Sequence, residues 1–142
     1  MRKLTRAECL GFLVAQPRTG KIATVRPDGR PHVAPIWFAL DGEQIVFTTW
    51  YTTAKAVNLR HSAWVSMCVD DERPPFGFVK VDGLAAISDD PEELRQWATV
   101  IAGRYMGAEQ AEAFGRRNAV PGELLIRISP ESIYGEIEIS AW

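Results

Sequence analysis

Apolar and polar positions along this chain alternate with a period that changes several times, and each change marks an element. Thr5-Arg6-Ala7-Glu8 has the form of a capping box, a hydroxyl and a carboxylate three residues apart that satisfy free N–H groups in a first helical turn. Ala7, Leu10, Leu13 and Val14 then recur at helical spacing, and Pro17 and Gly20 close the helix. Runs of period two follow at residues 21–25 and 32–40, joined by Arg26-Pro27-Asp28-Gly29-Arg30, and Asp41-Gly42 leads into a third run at 45–49. Asp-Gly between alternating runs signals a tight turn, because both residues tolerate the backbone that it needs. The three runs are therefore predicted to form an antiparallel meander.

A short helix is predicted over about 53–60, then a strand over 63–70. Residues 71–75 read as a loop, since Pro74 and Pro75 have no N–H to donate to a ladder. Residues 76–88 read as a long strand interrupted near Gly83. Asp90-Pro91-Glu92-Glu93 is a helix start with a cap, a proline at the first position and early acids; Leu94, Trp97, Ala98 and Ile101 form its stripe. A further helix is predicted over 108–117, ended by Pro121-Gly122, and strands over 123–129 and 133–139 close the chain. Six or seven strands at hairpin spacing, with helices between and around them, predict the α+β class: a mainly antiparallel barrel with peripheral helices, in a single domain over 1–142. The glycine-rich phosphate loops of parallel α/β folds are absent from the sequence.

Composition narrows the function classes. Sixteen Lys and Arg against 18 Asp and Glu give a net charge of −2 over 142 residues, with both signs dispersed, so bulk charge predicts neither a nucleic-acid nor a membrane-surface partner. No apolar run approaches the ~20 residues of a membrane span. The apolar run at 11–15 is too short and too late for a signal peptide, which makes the cytoplasm the expected compartment. Cys9 and Cys68 lack the number and spacing of a disulfide framework or metal site; Cys68, inside an apolar run, is expected in the core. His32 and His61 have no partner at ligand spacing, and no metal is expected.

Residues 45–60 carry the strongest chemical signal. Thr48, Thr49, Thr52 and Thr53 precede a helix whose first turn holds Lys55, where an ammonium opposes the helix macrodipole. That arrangement suits a bound phosphate, which would gather hydroxyls, free backbone N–H groups and the cation. The plainer alternative is that the threonines are strand and cap residues and Lys55 is solvated. Asn58 lies one turn from Lys55; Arg60 is explained equally by the dipole at the helix C-terminus. Ser62, Ser66, Ser88 and Ser140 lie outside any nucleophile-elbow sequence, and Asp70-Asp71-Glu72 reads as a solvated loop, so no catalytic residue is assigned. Chemistry, if any, falls to a cofactor. Of the tryptophans at 37, 50, 64, 97 and 142, Trp97 fits the core, while Trp37 and Trp50 are candidates for a flat-ring pocket or a subunit interface.

Taken together, Lys21-Ile-Ala-Thr-Val-Arg-Pro-Asp-Gly-Arg-Pro-His-Val-Ala-Pro-Ile-Trp-Phe38, Asp41-Gly42, Val46-Phe-Thr-Thr49, Lys55-Ala-Val-Asn-Leu-Arg60 and Val65-Ser-Met-Cys-Val-Asp-Asp-Glu-Arg-Pro-Pro-Phe76 resemble the pyridoxamine-phosphate-oxidase-like flavin and deazaflavin reductases. The resemblance is good over about residues 5–90. It implies a split β-barrel that forms a homodimer, with cofactor grooves between the two subunits. True pyridoxamine phosphate oxidases bind FMN and carry an arginine three residues after the proline that opens the second strand; here Pro31 is followed at that place by Ala34. The strand from Pro31 to Phe38, with the later Asp-Asp-Glu-Arg-Pro-Pro, resembles instead the branch that uses the deazaflavin coenzyme F420. By that resemblance Lys55, Thr48 and Thr49 hold the coenzyme phosphate, Val33, Pro35 and Trp37 line its ring system, and Asn58 and Arg60 lie near the phosphate and acidic tail. Pro75 and Phe76, continuing to Val79, and Ser140 to Trp142 would close the groove from the second subunit. The implied activity is hydride transfer from the reduced deazaflavin to a small unsaturated or conjugated substrate. The alternatives are an FMN-dependent oxidase or reductase on the same barrel, and a non-catalytic binder of a deazaflavin, flavin or haem.

Overall fold

The computed structural model describes residues 1–142. In chain order the elements are β1 (Arg2–Lys3), α1 (Arg6–Ala15), β2 (Gly20–Val25), β3 (Pro31–Ile36), β4 (Ala39–Asp41), β5 (Gln44–Trp50), α2 (Ala54–His61), β6 (Trp64–Asp71), β7 (Gly77–Ser88), α3 (Pro91–Met106), α4 (Ala108–Arg117) and β8 (Glu123–Ile137). The capping box forms as predicted: Glu8 N–H donates to Thr5 Oγ1 at 3.2 Å, and Thr5 N–H donates to Glu8 Oε1 at 3.1 Å. Asp90 caps α3 and Pro91 opens it. No helix is long and apolar enough to cross a membrane.

All eight strands join one antiparallel sheet, ordered β3-β2-β6-β7-β8-β5-β4, with β1 on β8. The two ends of this path, β3 and β4, are separated in sequence only by Trp37 and Phe38. The sheet must therefore curl until its ends meet, which makes a barrel whose last seam is closed by chain rather than by a ladder. Here the meander expectation fails. The run at 32–40 is two strands on opposite ends of the sheet, because Phe38 leaves the ladder. Its N–H donates to Tyr105 Oη at 3.3 Å, and its carbonyl accepts from Arg104 Nη1 at 3.1 Å. Side chains from α3 thus satisfy the backbone groups that a strand neighbour would otherwise take.

The two closing strands also prove to be one, the 15-residue β8. Pro130 does not end it, since Pro130 pairs with Gly83 at a register shift in β7, where a missing donor costs least. A Cβ on Gly83 would lie 2.4 Å from the Ser129 carbonyl oxygen, so the close approach itself requires glycine. Cys68 is likewise not in the core. Val65, Met67 and Val69 point inward, and the alternate residues Trp64, Ser66 and Cys68 point outward, with Cys68 paired between Lys21 and Lys80.

The main core fills the barrel and includes Leu13, Ile22, Phe38, Ile45, Phe47, Met67, Val79 and Ile126. A second cluster of Ala39, Val46, Leu94, Ile101 and Leu125 lies between α3 and the outer face of β4, β5 and β8. This explains the unbroken apolar run Ile45-Val46-Phe47, since a strand covered on both faces has no polar side. Arg127 fastens α3 to this face, with Nη1 2.6 Å from Asp41 and Nη2 3.0 Å from Glu93.

Candidate functional site

Strand parity builds the site. On β5, Ile45, Phe47 and Thr49 turn into the barrel, while Val46, Thr48 and Trp50 turn out. Glu123 and Leu125 pair with Trp50 and Thr48 and so share their face. Val46 and Leu125 are covered by α3. Thr48, Trp50 and Glu123 are left to line an open groove of about 350 Å³, with Pro35, Ile36 and Trp37 from the seam, Lys55 from α2 and Asn118 beyond α4; Thr49 borders it.

Thr53 caps α2, accepting from Ala56 N–H at 3.3 Å and donating its proton to the Trp50 carbonyl at 3.0 Å. The 2.8 Å contact between Thr49 and Thr53 hydroxyls must then use the proton of Thr49. Thr49, buried and turned inward, is a brace for the cap and has no donor left for a ligand. The cap leaves the N–H groups of Ala54 and Lys55 without protein acceptors. Lys55 is half-buried, and burial alone pushes its ammonium below the ordinary lysine range, since no carboxylate pairs with it. Burial likewise pushes the Glu123 carboxyl up, with no charged partner as a cause.

The seam supplies a flat wall. Trp37 stacks on Tyr105 with ring centroids 5.0 Å apart and planes 2° from parallel. Tyr105 is fixed in turn by its hydroxyl, which donates to the Arg18 carbonyl at 2.7 Å. Trp37 remains 40% exposed with one face covered, so its free surface is its other face and its edges. Across the groove, Trp50 packs its ring over Gly122, whose φ of +103° and lack of a Cβ allow the approach.

Thus Pro35, Trp37, Thr48, Thr49 and Lys55 border one groove, and Val33, Asn58, Arg60, Pro75 and Phe76 lie outside it. Val33 shares the outward face of β3 with Pro35 but stands beyond the groove, 67% exposed. Asn58 is buried and donates to Thr24 Oγ1 at 3.0 Å, tying α2 to β2; it borders a separate hollow with Thr52, Arg26 and Arg30. Arg60 is exposed and lies outside the groove. Pro75 and Phe76 line a different groove with Phe12, Arg73 and Glu138. The C-terminal residues lie against the same loop, for Ser140 N–H donates to the Pro75 carbonyl at 3.0 Å. Both segments assigned to the second subunit therefore form one surface. Glu123, Asn118 and Tyr105 were not signalled by the sequence, because strand register and helix packing bring them in.

A family model described as pyridoxamine 5'-phosphate oxidase matches residues 6–136. The chain belongs to that family. Among solved structures, it is similar to a conserved hypothetical protein from Mycobacterium tuberculosis at 29% identity and a TM-score of 0.80, covering 92% of this chain and 82% of that one. It is similar to an F420 reductase at 31% identity and a TM-score of 0.69, covering 87% of this chain and 94% of that one. A FAD-binding protein from Mesorhizobium loti shares the fold at 24% identity and a TM-score of 0.72, with 94% and 93% covered. A search of curated proteins finds no match. Members of this family are built on the split barrel, and the α+β barrel described above is one.

Proposed function

We propose that this chain is an F420-dependent oxidoreductase, in which the reduced deazaflavin supplies a hydride to a small unsaturated or conjugated substrate. The observation that carries the reading is Lys55: a half-buried ammonium, depressed by burial and joined to no carboxylate in an ion pair, beside the free Thr48 hydroxyl and the open N–H groups of α2. An uncompensated buried cation is costly, and a phosphate would relieve it. The residues present fit such a group. Lys55, Thr48 and the first turn of α2 hold the phosphate; Pro35 and the Trp37 ring, steadied by Tyr105, orient the ring system and keep water from it. The similarity to an F420 reductase favours the deazaflavin. Ala34 brings no cation where true pyridoxamine phosphate oxidases carry arginine, which counts against FMN.

The homodimer belongs to this proposal. Val33, Ala23, Ser66 and Asp82 form one lateral row on the outer face of β3, β2, β6 and β7, and Val25, Trp64 and Leu84 continue it. Val25, Val33, Trp64 and Leu84 are exposed there, and a face of that kind favours a partner. Pro35 lies on the same face and on the groove wall, so a second copy seated there would border the cofactor. Titration with F420 and with FMN, followed by cofactor fluorescence, tests the reading. Tight FMN binding without F420 binding overturns it. Turnover of conjugated acceptors with reduced F420 separates an enzyme from a carrier, and sedimentation tests the dimer.

A further inference from the structure

The groove that holds the cation also holds a carboxylate. Glu123 opens β8, pairs with Trp50 and so faces the same space as Lys55 and Thr48. Lys55 is the only cation among the nine residues of the wall, and Glu123 the only anion. The uncommitted donors are correspondingly few: Thr48 has its hydroxyl free, whereas Thr49 has given its proton to Thr53. Lys55 and Glu123 line the same groove without forming an ion pair, so both remain open to a ligand.

A phosphate ligand meets this groove as an anion entering a site of no net charge. The size of its own charge then decides how well it is held. A terminal phosphomonoester carries about −1.5 to −2 at neutral pH, whereas a phosphodiester carries a single negative charge. We infer that Glu123 makes this groove selective for a phosphodiester over a terminal phosphomonoester. The inference rests on the phosphate reading of the groove given above. One ammonium balances a diester, and the second charge of a monoester has no cation left to meet and a carboxylate to repel it. The chemistry separates the two candidate cofactors, because the F420 phosphate links two parts of the coenzyme as a diester and the FMN phosphate is a terminal monoester. Glu123 is thus a specificity-determining residue, with no part in the transfer itself.

The test uses the full chain and its Glu123→Gln variant, titrated with FMN, with riboflavin cyclic phosphate and with F420, each followed by ligand fluorescence. Riboflavin cyclic phosphate keeps the ring and side chain of FMN while its phosphate is closed into a diester. Removing the carboxylate should tighten FMN about tenfold and each diester about threefold, because the relieved repulsion scales with ligand charge. Glu123→Ala, which keeps no polar group, should give the same ratio of gains, so a folding defect peculiar to glutamine does not decide the matter. Equal gains for FMN and the cyclic phosphate, or none for either, overturn the inference while leaving F420 binding intact. Failure of all three ligands to bind either protein overturns the phosphate reading and this inference with it.

Discussion

Replacing Lys55 by methionine removes the charge and keeps an unbranched stem of nearly the same length, so packing of the aliphatic part is preserved. If the ammonium holds a phosphate, the variant loses a charge-assisted contact of about 1.5–3 kcal/mol, roughly ten- to a hundredfold in affinity. The unliganded protein should respond in the opposite sense. Burial depresses the Lys55 pKa from 10.5, so the folded chain binds its proton less readily than the unfolded chain does. The penalty is fully present below the folded pKa and is relieved as pH rises toward the unfolded value. At neutral pH Lys55→Met should therefore melt at or above the wild-type temperature while binding cofactor more weakly. Wild-type affinity should also fall as pH rises through the depressed Lys55 pKa, a fall that the methionine variant lacks. Fluorescence titration across pH, with thermal melts in the absence of ligand, measures all three. A variant that melts lower and binds F420 as tightly as wild type would show that Lys55 is a packing residue and refute the phosphate argument.

Asn58→Ala leaves the buried Thr24 hydroxyl without its donor and should destabilise by about 1–3 kcal/mol while cofactor affinity holds, as denaturant melts and titrations would show. Gly122→Ala puts a Cβ 2.4 Å from the Trp50 ring at a φ of +103°. It should cost at least about 1 kcal/mol and shift Trp50 emission; an unchanged melt and spectrum would contradict the packing described. Tyr105→Phe keeps the ring on Trp37 but leaves the Phe38 N–H without its acceptor, at a cost of about 1–3 kcal/mol. Tyr105→Leu also removes the stack and should weaken cofactor binding more than Tyr105→Phe does.

Local chemistry made most elements legible. The capping box at Thr5, the Asp-Gly turns and the Asp90-Pro91 start are decided by residues close in sequence, and all of them are present in the fold. The failures have distant causes. The seam at Trp37-Phe38 depends on Arg104 and Tyr105, which supply hydrogen-bond partners that no local pattern announces. The strands expected over 123–129 and 133–139 run on as one because Pro130 stands opposite Gly83, a pairing set by register. Met67 and Cys68 are both apolar, so the run itself does not say which faces in. At the site, Lys55 and Thr48 could be read from a strand leading into a helix. Glu123 enters only through strand register, and Thr49 leaves only through the direction of one hydroxyl proton.

A barrel laced all the way round by hydrogen bonds must break a ladder to loosen. This one has a single boundary, between β3 and β4, that no ladder spans. Beside it lie the Trp37–Tyr105 stack, the bond that Phe38 N–H donates to Tyr105 Oη and the bond that the Phe38 carbonyl accepts from Arg104. The ladder-free line of the fold thus runs along the edge of the groove. Any group pressed against Trp37 would bear directly on that line.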